Sequence, residues 1–83
     1  MKSLTRYGCL AEKHWRQYLP KMVAELQLKR RLREMLEEAE QQTTIEMHEV
    51  RSRLLGQGLS AQQAEQRAWE MVRELYIFLP PEH

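Results

Sequence analysis

Three histidines and one cysteine are the side chains best suited to hold a soft metal, and their spacing does not suit one. His14, His48, His83 and Cys9 form no i,i+4 pair, no HExxH and no CxxC. For nucleophilic chemistry the candidates are Cys9 and Ser60. Ser60 is accounted for as a helix cap, and Cys9 has only Lys13, one helical turn away, to lower its pKa. Carboxylates are abundant at Glu34, Glu37, Glu38 and Glu40, at spacings that read as a solvated helix face. Gly56-Gln57-Gly58 follows a helix end, where a phosphate-binding loop would follow a strand. The expectation is a chain that is not an enzyme, with no catalytic residue, metal, cofactor or small-molecule substrate.

The chemistry that does stand out is electrostatic. Residues 1–33 carry nine Lys/Arg against two Glu, and residues 34–83 carry four against ten, so the net charge of +1 is the sum of two large opposite halves. Lys29, Arg30, Arg31 and Arg33 form the sharpest basic cluster, and Arg16 and Lys21 join it if the first two helices fold back. Adjacent cations of this kind bind phosphates in a salt-sensitive way. The competing reading is a solvated face in which Arg30 and Arg33 pair with Glu34 and Glu37, each pair contributing only ~0.2–0.5 kcal/mol. Cations at a helix start oppose the macrodipole, so either the helix runs unbroken from Pro20 or the cluster has a use.

The elements that position these residues are helices. Leu4, Tyr7, Ala11, Trp15 and Tyr18 recur at three and four, one face of a helix over 5–19 with Thr5 as its N-cap and His14 on its surface. Pro20 ends it and suits the first turn of a short second helix over 20–29, carrying Met22, Val23 and Leu26. A long helix over 31–56 follows. Its seam of Leu32, Leu36, Ala39, Thr43, Met47, Val50 and Leu54 is close to a heptad repeat that Thr43 weakens, and Gly56 or Gly58 ends it. Ser60 and Gln63 form a capping box, with Leu59 and Ala64 as a hydrophobic staple, opening a helix over 60–75. That helix presents Ala64, Ala68, Met71, Val72 and Leu75, with Trp69 beside the stripe. Tyr76-Ile77-Phe78-Leu79 before Pro80-Pro81 favours an extended tail over 76–83 that buries Ile77 or Leu79 across the bundle.

Eighty-three residues with 42% apolar and 30% charged side chains describe one domain with a modest core. The apolar runs are too short to span a bilayer, the start lacks a signal-peptide stretch, and a lone cysteine suits a reducing, cytoplasmic setting. The fold class is therefore all-α: three main helices plus one short, in which the first and last pack on the long one. A rod of about 39 Å exceeds a compact globule of this length, whose radius of gyration is about 12 Å, so the long helix either projects beyond the core or packs on a second copy. The aromatic residues Trp15, Tyr18, Trp69 and Tyr76 read as core, and Met22, Met35, Met47 and Met71 as gap-fillers or part of a partner face.

The order Tyr7-Gly8, Leu10-Ala11, Trp15, Pro20, Met22, Leu26, then Leu32, Leu36 and Ala39, and finally Ala64, Ala68, Tyr76-Ile77 and Leu79-Pro80, resembles the TnpV-like family of small proteins encoded with transposons and other mobile elements. Members often carry a small residue, typically glycine, before the leucine that matches Leu32. Arg30 and Arg31 stand there in this chain, leaving open whether the helix is continuous across 28–31. The resemblance brings no catalytic residue. It implies an accessory protein of a mobile element that acts by association or regulation.

Two functions remain open at this point. One is a non-enzymatic helical interaction module, a homodimer or a binder of another protein, whose candidate core and association seam is Trp15, Leu32, Leu36, Ala39, Met47, Val50, Leu54, Trp69, Met71 and Val72. The other is a small nucleic-acid-binding regulator using Lys29, Arg30, Arg31, Arg33, Lys21 and Arg16 on phosphate.

Overall fold

The computed structural model describes residues 3–82, so the expected fraying of His83 lies outside it. Four helices follow one another: α1 (Arg6–Tyr18), α2 (Pro20–Leu28), α3 (Leu32–Gly56) and α4 (Ala61–Tyr76). Among the described residues there is no strand, and the all-α expectation holds. Tyr76 belongs to the last turn of α4, so the non-helical tail begins one residue later than its sequence suggests.

Each helix boundary has a local cause. Ser60 Oγ accepts from the Gln63 N–H while the Gln63 side chain accepts from the Ser60 N–H, the reciprocal pair that opens α4. Pro20 occupies the first turn of α2, where its missing N–H costs nothing. The question of continuity across 28–31 is answered by a break. Arg31 N–H donates to the Leu26 carbonyl and Arg30 N–H to the Gln27 carbonyl, the two reversed bonds that close a helix through a left-handed residue. That residue is Arg30, at φ 57°. The end of α3 uses the same pair of bonds, Leu59 to Leu54 and Gly58 to Leu55, with Gly58 at φ 100° as the left-handed residue; Gly56 is simply the last helical position. The break places Lys29 and Arg30 at the C-terminal end of α2, where the macrodipole favours cations, and Glu34 in the first turn of α3, where it favours anions.

The core is organised on α3. Leu32, Leu36 and Ala39 pack with Ala11, Trp15, Leu19, Val23 and Ile77, and farther along Met47 and Val50 pack with Ala68 and Val72. Tyr7, Trp69 and Tyr76 touch both groups, with Tyr7 and Trp69 stacked at 5.5 Å. Between the groups Thr43 is fully buried, and its hydroxyl donates to the Ala39 carbonyl at 2.7 Å, so its polar atom is satisfied. The seam therefore serves α1 and α4 of the same chain, and the expectation that it pairs with a second copy is corrected: α1, α2 and the tail cover its first part and α4, folded back antiparallel, covers the second. The Cα atoms span 47 × 33 × 14 Å with a radius of gyration of 14.3 Å, a slab at most two helices deep rather than a core with a projecting rod.

Four members of the expected core face differ. Met71 is 49% exposed, and Leu75 is exposed as well. On α4 the buried row is Ala64, Ala68, Val72 and then half-buried Tyr76. Steps of four advance about 40° each around the helix, so the contact line drifts toward Trp69 and leaves Met71 and Leu75 on the far flank. Tyr18 is exposed because the chain turns at Leu19 (φ −130°, ψ 50°), and Leu19 takes the buried place beyond Trp15. Leu54 is only half-buried, one turn from the end of the rod.

The tail closes the structure as a strap. Ile77 is fully buried and its carbonyl accepts from Trp15 Nε1 at 3.0 Å. His14, expected on the surface, is half-buried, and its Nε2 donates to the Leu79 carbonyl at 2.8 Å, a carbonyl being able only to accept. Glu82 N–H then donates to the Tyr18 carbonyl. The Glu82 carboxylate accepts from the Lys21 and Met22 N–H groups at 3.1 and 3.0 Å, the free donors at the start of α2 that Leu19 has no side-chain oxygen to satisfy.

Four stability outcomes follow, each measured by denaturant melts followed by circular dichroism. Leu36→Ala should lose about 2–5 kcal/mol, whereas Met71→Lys should change stability by less than about 0.5 kcal/mol. Glu82→Ala should lose about 1 kcal/mol through the uncapped start of α2. Arg30→Gly should gain about 1 kcal/mol by relieving the left-handed side chain, equivalent to a rise of about 4–8 °C in Tm; a fall would show that the Arg30 side chain itself holds the turn.

Candidate anion-binding groove

The turn between α2 and α3 determines which cations meet. Arg30 at the turn, Arg33 in the first turn of α3 and Arg16 near the end of α1 line one groove of about 400 Å³, with Leu4, Leu32 and Leu36 as its apolar floor. Glu12 also lines it and holds Arg16 through Nη2 to Oε2 at 2.9 Å. Arg33 is held by Glu37 at 3.1 Å. Among the described residues Arg30 has no ion pair.

The other three expected contacts fall elsewhere. Lys29 pairs with Glu25 at 3.0 Å and Arg31 with Glu34 at 3.6 Å, and neither lines the groove. Lys21 lies at the opposite end of α2, where its backbone meets Glu82. So the six-residue patch expected from the sequence is a three-arginine groove, and the expected Arg30 to Glu34 pair is replaced by Arg31 to Glu34. These pairs are all substantially exposed, so each contributes ~0–1 kcal/mol and a stronger anion can displace it.

Two carboxylates have structural roles that the sequence did not reveal. Glu40 Oε2 accepts from both Thr5 N–H and Thr5 Oγ1 at 2.7 Å, so Thr5 starts α1 without capping it through its own side chain. Gly8, buried in α1, is what admits Glu40: a Cβ there would overlap the Glu40 carboxylate and press on Leu4 at 3.0 Å. A glycine inside a helix, unfavourable by ~1 kcal/mol against alanine, was the available sign of such a close approach. For Glu82 the sign was Pro20 preceded by Leu19, a helix start with no local acceptor.

Other openings offer less. A shallow groove of about 670 Å³ runs along the strap past Tyr18, Phe78, Pro80 and Pro81, but His14 on its wall is already committed to Leu79. Cys9 is exposed and its Sγ is 3.9 Å from the Leu4 carbonyl. Among the described residues no three of His, Cys, Asp and Glu gather as a metal site requires. No helix among them is long and apolar enough to cross a membrane. What this arrangement can do chemically is bind a carboxylate or phosphate beside an apolar group. No family model, curated protein or solved structure matches the chain.

Proposed function

We propose that the chain is a non-enzymatic helical interaction module that self-associates, serving as an accessory protein of a mobile genetic element as its resemblance to the TnpV-like family implies. The observation that carries this reading is the flat, elongated slab. A chain this short buries only about 60% of its unfolded surface even when compact, and a slab 14 Å deep buries less than a sphere would. Large apolar side chains are left outside as a result: Leu28 at 85% exposure, Leu75 at 56%, and Met71, Ile45, Tyr18 and Leu55 beside them. A second copy is the partner that supplies both missing cover and opposite charge, since in each copy the first 33 residues are basic and the remainder acidic.

The nucleic-acid reading retains one specific support, the convergence of Arg16, Arg30 and Arg33 on one groove. Against it, two of those three arginines are already paired with carboxylates. Sedimentation equilibrium over a hundredfold range of protein concentration separates the two. The module reading expects a defined oligomer and no binding to duplex DNA. A monomer at every concentration, with DNA affinity that falls steeply as salt rises, would replace it with the regulator.

A further inference from the structure

Arg30 is anomalous in three independent ways. It occupies the left-handed position of a helix-closing turn that the same chain fills with glycine at Gly58. It has no ion pair among the described residues, although its neighbours Lys29, Arg31 and Arg33 each have one. It also lines the groove floored by Leu4, Leu32 and Leu36. A backbone conformation that a side chain only burdens is retained where that side chain has another use. Two residues before it Leu28 stands out into solvent, more exposed than any other large apolar residue among those described.

The complement lies on the outer face of α3. Glu38, Ile45 and Glu49 are spaced by seven and four, which places them within about 40° of one another around the helix, and all three are exposed. Glu38 and Glu49 have no ion pair among the described residues. One surface thus offers unpaired and exchangeable cations beside a bare leucine, and the other offers unpaired carboxylates about a bare isoleucine.

Resting on the self-association proposed above, we infer that these two surfaces are the two halves of its interface: the Arg16, Arg30 and Arg33 groove with Leu28 of one copy receives the Glu38, Ile45 and Glu49 face of α3 of another. The groove is lined by the core side of α3 and the face it receives is the outer side, so the contact is head-to-tail. Each copy uses its groove with one neighbour and its α3 face with another. Arg30 is the anchor because it enters the contact without first giving up a partner. Arg16 and Arg33 exchange weak pairs with Glu12 and Glu37 for the incoming carboxylates.

The test uses charge reversal in pairs, read by sedimentation velocity with circular dichroism as the check on folding. Arg30→Gly, which keeps the turn, should weaken self-association about tenfold or more while the melting temperature does not fall. The Arg30→Glu, Arg33→Glu double variant alone and the Glu38→Arg, Glu49→Arg double variant alone should each be monomeric, because in each the groove and the α3 face carry like charge. Mixed in equal amounts, those two proteins should associate again, since every groove then meets a face of opposite sign. If the native chain associates but Arg30→Gly leaves its dissociation constant unchanged, or if mixing restores nothing, this interface is wrong while self-association stands. If the native chain is monomeric throughout, both fall. If Arg30→Gly abolishes binding to duplex DNA and leaves association intact, the groove belongs to nucleic acid.

Discussion

The row of small and apolar side chains along α3 is the constraint on which the other elements depend. A helix of 25 residues with a single apolar stripe draws most of its stability from what packs on that stripe, and this stripe is too long for any one neighbour to cover. The first two helices and the strap share Leu32, Leu36 and Ala39, while α4 takes Met47 and Val50. Covering a rod from two ends gives a slab instead of a sphere. The outer face of α3 is left bare as a direct consequence, and that bare face underlies the functional reading.

Secondary structure here is completed by tertiary contacts. Helices α1 and α2 lack side-chain caps of their own, and the carboxylates that satisfy their surroundings come from Glu40, 35 residues from Thr5, and from Glu82, 60 residues from Met22. Removing either carboxylate strands backbone donors that nothing local can satisfy. The first two helices are thereby coupled to α3 and to the strap through polar groups as well as through packing. Gly8 belongs to the same coupling, because it lets the Glu40 carboxylate approach the backbone of α1.

The two turns that end α2 and α3 form an internal comparison. Hydrogen bonding is the same in both, yet one carries glycine and the other arginine in the left-handed position. Conformational preference explains Gly58 and opposes Arg30. The arginine therefore needs a reason outside the turn, and its exposure beside the groove supplies one. The chain gives up some stability at the point where its basic first 33 residues line the groove.

Most of the architecture was legible in the amino-acid order, because its signals are local. The periodicity of Ala11 and Trp15, the break at Pro20, the seam from Leu32 to Val50 and the Ser60 and Gln63 box all depend on residues within a turn or two of one another. What only the assembled fold decided depends on angles and distances between elements. The drift of the α4 contact line chose Val72 over Met71, and the direction of the chain after α1 chose Leu19 over Tyr18. The closing of the strap gave His14 and Glu82 their partners, and the turn at Arg30 selected Arg16 and Arg33, out of six candidate cations, to share a groove with it. Periodicity states which face of a helix is apolar, whereas the crossing geometry of neighbouring helices determines how far along that face the contact runs.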